Sequence, residues 1–387
     1  MKIALLFDGV SALGASPDLL ILETVEAVER VLSSDGEQVV RIPVDPDGRW
    51  IERIRRGRFD LAFNLCEGID GVAAFEPAVI GVLELLGVPC TGSSSYTTSL
   101  CLRKHIVNGV LGMNGLPVPR FGVARRAESE AAPPAAERSA RRDSPRASRP
   151  KRLRIPAVGF PAICKPASED ASIGIEQRSV VRTVRALTER IAAMHERWDE
   201  VLVQRYVEGR EVNVGILGST VLPLAEIDFG ELPKGMWRIV TYRSKWDTGS
   251  DEDRGTQPQC PAELPAELVA EIGRLALAAW RAVGGEGYGR VDFRIDRSGR
   301  PWLLEVNSNP DLAPDAGLAR MARVTGLGYD GLVRELCALA LDSARGSEMT
   351  GGSDPAGSNH WTVAQRLSGI RAPVSADAPE IFAIGHR

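Results

Sequence analysis

The sequence contains few of the residues that build zinc sites, disulfide frameworks or histidine-based catalytic triads. It has four histidines and six cysteines in 387 residues. The cysteines show neither metal-ligand spacing nor the pattern of a disulfide-rich secreted domain. We therefore expect the cysteines to be small core residues in a reducing cytoplasm, and we expect no zinc site.

Long apolar runs and an excess of one charge are also missing. The 47 basic and 51 acidic residues give a net charge of −4, which provides no electrostatic footprint for nucleic acid or an acidic membrane. No run reaches transmembrane length, and the apolar start meets Asp8 too soon for a signal peptide. We therefore predict a cytoplasmic α/β protein, and 44% hydrophobic residues are enough for two or three cores.

Short apolar runs alternate with amphipathic segments in residues 1 to about 100. The pattern predicts strands at Lys2–Phe7, Gln38–Ile42 and Phe59–Leu65, and helices at Leu19–Leu32 and Phe75–Leu86. Such alternation is typical of a parallel sheet with flanking helices. The segment Asp8–Gly14 does not fit G-x-G-x-x-G, so a Rossmann dehydrogenase is discarded.

Residues 125–155 interrupt this pattern with Pro, Ala, Arg and Ser and almost no bulky apolar residue. This composition predicts an exposed, disordered insertion. The remaining predicted elements are helices at Ser99–Gly112, Val181–Arg197 and Leu332–Leu341, strands at Ala162–Pro166 and Val201–Val207, an extended Leu116–Pro119, and a flexible Gly346–Asn359.

The segment Gly289–Asn307 has the pattern of an antiparallel hairpin that turns over residues 297–300. In its first strand Val291, Phe293 and Ile295 share one face, so Arg290, Asp292 and Arg294 share the other. In its second strand Trp302, Leu304 and Val306 are expected to alternate with Leu303, Glu305 and Asn307.

This register places Asp292 opposite Glu305, with Asn307 one step along the same face. Opposed carboxylates repel each other, and a divalent cation between them turns the repulsion into a binding site with oxygen ligands. The alternative is a solvated polar face that Arg290 and Arg294 neutralise. The hairpin alone does not decide between the two.

Two earlier segments suit a nucleotide. Lys165 ends a predicted strand and precedes a loop of small residues, an arrangement that can bind phosphate through an ammonium group and backbone N–H groups. The strand Val201–Val207 runs into a short hinge that can line an adenine slot, and Glu211 beyond it can hold ribose hydroxyls. Taken singly, each segment is equally consistent with an ordinary strand and turn.

Five segments in a common order resemble the ATP-grasp superfamily, specifically D-alanine–D-alanine ligase-like carboxylate–amine ligases. They are Gly87–Ser94, Leu116–Pro119, Phe160–Pro166, Glu208–Glu211, and Gly289–Asp292 together with Leu304–Asn307. The resemblance implies an α/β, ATP-grasp fold with a Rossmann-like domain over 1–100, a central subdomain over 101–207 and a C-terminal subdomain with an antiparallel sheet over 208–343. A flexible tail over 344–387 lies outside it.

The resemblance also implies a set of roles. Lys104 and Lys165 contact the α- and β-phosphates of ATP, and Gln204, Arg205 and Val207 border the adenine. Glu211 binds ribose, Lys245 reaches the γ-phosphate, and Asp292, Glu305 and Asn307 hold two Mg²⁺ ions, with Mn²⁺ as a possible substitute. Arg290 faces the reacting carboxylate and its oxyanion.

The implied reaction joins a small-molecule carboxylate to an amine through an acyl phosphate. The segments Ser168–Gly174 and Arg243–Thr256 are the expected lids, and a homodimer is the expected assembly.

The resemblance fails at positions that recognise amino acids. The ammonium-binding glutamate expected within Asp8–Asp18 is missing, and the remaining departures are Asp170, Ala171, Trp246, Asp311 and Ala316. A polar site that loses one partner discriminates strongly against the original substrate, so we predict a different substrate pair, with Asp311, Asp315 and Arg320 as candidate contacts. A true D-alanine–D-alanine ligase and a lapsed nucleotide-binding protein remain alternatives.

Overall fold

The computed structural model describes residues 1–9, 16–126 and 156–350. Nearly all of the predicted insertion and the tail beyond Thr350 lie outside the described residues, so the predictions of disorder for them stay predictions.

A parallel sheet of three strands in the order β2-β1-β3 begins the fold. Its elements are β1 (Lys2–Asp8), α1 (Ser16–Ser34), β2 (Gln38–Val44), α2 (Arg49–Gly57), β3 (Leu61–Asn64) and α3 (Glu76–Leu85). Ile3 and Leu5 of β1 pack in the core that contains α1, whereas Ala4 and Leu6 pack with α2 and α3. Because both faces of the sheet are buried, β1 is a continuous apolar run, as predicted.

The predicted helix Ser99–Gly112 is two helices, α4 (Ser95–Cys101) and α5 (Lys104–Met113). The single-helix prediction is wrong because Arg103 leaves helical geometry, with φ −99° and ψ 79°. The Ser94 side chain caps α4 by accepting from the Thr97 N–H. The break places Lys104 at the first residue of α5, where its backbone N–H donates to the Ala167 carbonyl.

The central sheet is antiparallel, in the order β4-β7-β5-β6. Its elements are β4 (Phe121–Arg125), β5 (Ala162–Pro166), β6 (Val180–Val181), α6 (Val184–Met194) and β7 (Glu200–Arg205). The helix α6 begins later than predicted because the Thr183 hydroxyl caps it. It covers the face that carries Cys164 and Val203, so Lys165 and Gln204 point to the opposite face.

The third sheet has the order β11-β10-β8-β12-β13, and β9 pairs with β8. Its elements are β8 (Gly209–Leu217), β9 (Thr220–Val221), β10 (Ala225–Asp228), α7 (Tyr242–Trp246), α8 (Asp251–Arg254), β11 (Gln257–Gln259), α9 (Ala266–Ala282), β12 (Tyr288–Asp296) and β13 (Pro301–Asn307). Helix α9 packs on one face through Ile272, Ala276 and Trp280, which leaves the other face of β8, β12 and β13 for polar side chains.

The chain continues into α10 (Gly317–Val324) and α11 (Gly328–Thr350). Leu332 and Leu336 of α11 join the same core as Ile3 and Leu5, so the last helix packs on the first sheet. This helix is longer than predicted, and the first residues of the predicted flexible tail are helical. Within the part of the chain described, no helix is long and apolar enough to cross a membrane.

The hairpin β12–β13 confirms the predicted pairing of Asp292 with Glu305, and Arg290 pairs with Asn307. The strict alternation predicted for β13 is wrong. A β-bulge follows the Asp292–Glu305 pair, so Phe293 faces Leu303 and one extra residue is inserted in β13. Leu303 therefore enters the core with Val306, while Glu305 stays opposite Asp292.

Candidate active site

The polar face of the hairpin is organised around a fork between Arg290 and Asp292. Arg290 Nε donates to Asp292 Oδ1 at 2.8 Å, and Nη2 donates to Oδ2 at 2.9 Å. Asn213 Nδ2, in register on β8, also donates to Oδ1 at 2.7 Å. Burial opposes the charge of Arg290, but Asp292 and Glu305 outweigh it and hold the pKa of the guanidinium above its usual range.

Several cations converge on the second carboxylate of the hairpin, Glu305. Lys104 Nζ lies 3.3 Å from Glu305 Oε1. Burial alone raises the pKa of Glu305, but the positive charges of Lys104, Lys165 and Arg290 outweigh that effect and lower it. Glu305 is therefore ionised at neutral pH, and it brings together residues from α5, β5 and β12.

Lys104 is buried and also pairs with the loop that follows β5. Its ammonium lies 2.5 Å from Asp170 Oδ1. Burial lowers the pKa of Lys104, but the carboxylates of Asp170 and Glu305 outweigh it and raise the pKa above its usual value. Lys104 thus links Asp170 of this loop to Glu305 of β13.

Lys165 and Lys245 complete the positive lining. Burial is the main cause that lowers the pKa of Lys165, and Glu305 partly offsets it. The pKa of Lys245 also lies below its usual value because the surrounding protein removes water from its ammonium and Arg290 repels it. Lys245 is nevertheless exposed as a residue, so solvent weakens this shift.

Among the described residues, Gln204 and Asn108 are the two buried amides whose side-chain nitrogen and oxygen both lack a hydrogen-bond partner, and Gln204 is the one at the predicted nucleotide site. It is 1% exposed, and neither its Nε2 nor its Oε1 has a hydrogen-bond partner. It lies opposite Ile163 on the face of the central sheet that also carries Lys165. Ile163 packs with Tyr206 and Ile239 in an apolar cluster. A buried amide that both donates and accepts beside apolar side chains suits a purine base.

The chain crosses from the central sheet to the third sheet between β7 and β8, at the predicted hinge. Arg205 ends β7 and Val207 lies in the connection, and both line a cavity of about 330 Å³ together with Trp302. Glu211 lies within β8 rather than in the hinge. Its Oε2 is 2.7 Å from Arg294 Nη2.

The oxygen donors fit a hard divalent cation. Asp292, Glu305 and Asn307 supply two carboxylates and one amide oxygen from neighbouring register positions. Among the described residues there is no group of three His, Cys, Asp or Glu side chains able to hold a metal, so this set depends on Asn307. Arg290 pairs with Asp292 and Lys104 pairs with Glu305, whereas Arg294, the second arginine of the alternative, pairs with Glu211 instead.

Asn309 connects the hairpin to the first sheet, which the sequence did not reveal. Its backbone N–H donates to Asn307 Oδ1 at 2.9 Å, and its Nδ2 donates to the Cys66 carbonyl and to Glu76 Oε1, each at 3.0 Å. The Tyr288 hydroxyl donates to its Oδ1 at 2.7 Å. The backbone of Asn309 therefore holds the Asn307 amide, while its side chain ties this segment to Cys66, Glu76 and Tyr288.

The two predicted lids contact each other. Trp246 Nε1 donates to the Ala171 carbonyl at 3.2 Å, and directly beside the two lids the Tyr242 N–H donates to the Ile175 carbonyl at 2.9 Å. Ala171 and Ser172 have positive φ values of 51° and 60°, a conformation that favours glycine. The loop after β5 therefore has a defined, strained shape held against α7.

The proposed substrate contacts are less organised. Asp311 Oδ1 accepts from the Ala313 N–H, and Arg320 donates to the Asp315 carbonyl. Asp311 and Asp315 are exposed. These three residues shape their own turn, and their role toward substrate stays a prediction.

The other contacts missed from the sequence have a recognisable signal. Asn213 and Glu211 alternate on β8, opposite Asp292 and Arg294 respectively. The period of two in that strand marks both as facing the site. The Asp170 contact has no such signal, because it depends on where a loop from the central sheet meets α5.

The central and third sheets place their polar faces against each other around Glu305. This arrangement, together with the first parallel sheet, defines an ATP-grasp protein. The crystal structure of D-alanine–D-alanine ligase from Bacillus anthracis complexed with ATP matches the fold with a TM-score of 0.67 at 22% identity, over 90% of this chain and 99% of that one.

Residues 114–338 match the family model described as D-ala D-ala ligase C-terminus. A D-alanine–D-alanine ligase of Xylella fastidiosa is 33% identical over 333 residues, which are 86% of this chain and 96% of that protein. The corresponding ligase of Geobacter sulfurreducens is 30% identical over 336 residues, with 87% and 92% covered. The chain belongs to the D-alanine–D-alanine ligase family, and it is an ATP-dependent ligase that forms C–N bonds.

Proposed function

We propose that this ligase joins a carboxylic acid to an amine through an acyl phosphate, and that its substrate pair is not two D-alanines. The observation that carries the proposal is the convergence of Lys104, Lys165, Lys245 and Arg290 on the paired carboxylates Asp292 and Glu305. A triphosphate and a reacting carboxylate need this combination of fixed positive charge and oxygen ligands.

In the first step an oxygen of the acid forms a bond to the γ-phosphorus while the bond to the ADP oxygen breaks. Lys104 and Lys165 hold the α- and β-phosphates, and Lys245 supports the γ-phosphate as charge moves onto ADP. Gln204, Arg205 and Val207 place the base. When bound, Mg²⁺ neutralises phosphate oxygens, and Asp292, Glu305 and Asn307 are the residues that would hold two such ions, or Mn²⁺.

In the second step the amine nitrogen bonds to the acyl carbon and phosphate leaves, so the products are the amide, ADP and phosphate. Arg290 stabilises the oxyanion of the tetrahedral intermediate. Asp292 orients the guanidinium through two parallel hydrogen bonds. The contacting lids exclude water, which would otherwise hydrolyse the acyl phosphate.

The proposed difference in substrate is supported by the contacts that two residues make at positions where this chain departs from the family pattern. Asp170 is engaged with Lys104, and Trp246 is engaged with the Ala171 carbonyl. Both residues lie in the predicted lids, at positions where the family resemblance leads us to expect a glycine and a tyrosine. A natural-product amide or dipeptide ligase fits this arrangement better than an enzyme of peptidoglycan synthesis.

The test is phosphate release from ATP and Mg²⁺ with D- and L-amino acids, singly and in pairs, with product masses recorded. The Asp292→Asn variant measures background hydrolysis. Release with a pair other than D-alanine, with the mass of its amide, is the expected result. D-alanyl-D-alanine would instead establish the cell-wall activity of the relatives. No release with any pair while ATP still binds would point to an acid outside the panel, and no release without ATP binding would point to a lapsed enzyme.

A further inference from the structure

One buried arginine on the polar face of the hairpin has no role in the reaction described above. Arg294 is 3% exposed and lies on β12 on the same face as Arg290 and Asp292. It is in direct register with Glu211 of β8, and its Nη2 lies 2.7 Å from Glu211 Oε2. Burial of a guanidinium destabilises the fold unless its charge is paired and its N–H groups are hydrogen-bonded.

The remaining contacts fix the guanidinium on every side. Nη1 donates to the Gly209 carbonyl at 3.1 Å and Nη2 donates to the Arg238 carbonyl. The rings of Tyr206 and Phe229 lie 5.5 and 5.4 Å from its central carbon, within the range of a cation–π contact. Arg294 is therefore immobile, and any group that it binds is positioned by the sheet.

The approach of β8 to β12 at this point requires glycine. A Cβ added to Gly209 would lie 1.8 Å from the Ile295 carbonyl oxygen, a distance that the backbone cannot accept. The Gly209 carbonyl is one of the acceptors of Arg294. The start of β8 is thus shaped so that Arg294 reaches both the backbone and Glu211.

We propose that Arg294 is a positioning residue that orients Glu211 toward the ribose of the nucleotide. The inference rests on the proposed function, in which Glu211 binds the ribose hydroxyls. Arg294 engages Oε2 of Glu211, and a carboxylate has two oxygens with about four acceptor sites. The ion pair therefore fixes the carboxylate plane while the remaining lone pairs accept from the sugar. A hydrogen bond from the sugar to a fixed carboxylate adds more to nucleotide affinity than one to a mobile carboxylate, because the side chain has already lost its conformational entropy.

The experiment compares binding of Mg·ATP and Mg·2′-deoxyATP by calorimetry, so it needs no knowledge of the acid or amine. The wild type is expected to prefer ATP by about tenfold or more, the effect of one hydrogen bond to a charged group. In Arg294→Met the preference is expected to fall to about threefold or less, mainly through weaker ATP binding. Arg210→Met, which removes an arginine paired with Glu226 on the same sheet, should keep the full preference.

Other outcomes overturn the inference in distinguishable ways. If both nucleotides weaken equally in Arg294→Met, Arg294 has only a structural role. If the wild type binds both nucleotides equally, the ribose assignment of Glu211 is wrong, although ligation with ATP can still proceed. Arg294→Lys keeps the charge with fewer donors and should show an intermediate preference; it replaces Arg294→Met if the latter does not fold. A full preference in Arg294→Lys together with normal ATP affinity also contradicts the inference.

Discussion

Arg290 and Asp292, two residues apart on β12, form a bidentate ion pair with bonds of 2.8 and 2.9 Å. The arginine proposed to meet the oxyanion and the carboxylate proposed to meet the metal are therefore one unit. The Asp292 carboxylate thus serves both the guanidinium and the proposed metal site, and Asn213 donates a hydrogen bond to one of its oxygens. Substitution of either partner therefore changes the electrostatic environment of the other.

Replacement of Arg290 by alanine should lower kcat by about 10²- to 10³-fold, because the oxyanion loses a prepositioned donor. The KM for ATP should change far less, since the charge that Arg290 stabilises develops late in the reaction. Steady-state kinetics with the substrate pair found by the phosphate-release panel measures both. The control is Arg300→Ala, which removes an exposed arginine at the turn of the same hairpin. Unchanged kcat would show that Arg290 does not act on the oxyanion.

Asp292→Asn should remove most of the Mg²⁺ dependence of ATP binding while the chain still folds. The substitution removes one of the two negative charges that attract the ion, and it leaves Arg290 without its counterion. The measurement is the Kd for ATP with Mg²⁺ and with EDTA. Glu305→Gln should behave in the same way, whereas Asp296→Asn, at the end of the same strand, should not. A retained Mg²⁺ effect in both site variants would refute the metal assignment.

The sequence predicted those parts of the fold and site that depend on short periodic patterns. The period of two in β12 predicted the Asp292–Glu305 pair and the buried Val291 and Phe293, and both are confirmed. The bulge between Leu303 and Glu305 was not predictable from alternation, because the extra residue becomes evident only once the two strands are paired. The break at Arg103 depends on a tertiary contact of Lys104 with Ala167, which local propensity does not contain.

Asp170→Asn should strengthen ATP binding by about fivefold, as expected for a partly exposed competing charge worth about 1 kcal/mol. The Asp170 carboxylate forms an ion pair with the ammonium of Lys104, and a phosphate that binds Lys104 has to displace this carboxylate. The effect should shrink at high salt because the ion pair is partly exposed. Glu169→Gln is the matched control, since its oxygen still accepts from Trp198. Weaker binding in Asp170→Asn would mean that the carboxylate assists the nucleotide.

Glu76→Gln should flatten the dependence of folding stability on pH. Burial, with a contribution from Asp170, raises the pKa of Glu76 from its ordinary value of 4.5 to about 8. Between these values the folded chain holds a proton that the unfolded chain has released, so the free energy of unfolding falls as pH rises from about 5 to 8. The slope from this group is at most about 1.4 kcal/mol per pH unit.

The amide of the Glu76→Gln variant keeps an oxygen for Asn309, so the hydrogen-bond network is preserved. Urea unfolding of the wild type and the variant at pH 5, 6.5 and 8 measures the effect. The free energy of unfolding of the variant, relative to the wild type, should be highest at pH 8 and lowest at pH 5. An equal difference at all three values would show that Glu76 titrates normally.

Gln204→Leu should move stability and nucleotide binding in opposite directions. A buried amide with neither polar atom bonded costs about 1 to 3 kcal/mol, so an apolar side chain of similar size should raise the Tm. ATP binding should weaken by about tenfold or more, because the base loses its side-chain partner. Calorimetry with ATP and inosine triphosphate tests this locally, since the two bases differ at the edge that an amide reads. The preference for one base should disappear in the variant. If Gln204 were an ordinary core residue, the substitution would lower both the Tm and the base preference. If Gln204 had no role, neither quantity would change. A rise in Tm together with a loss of base preference is therefore specific to a residue that stays unpaired for the ligand.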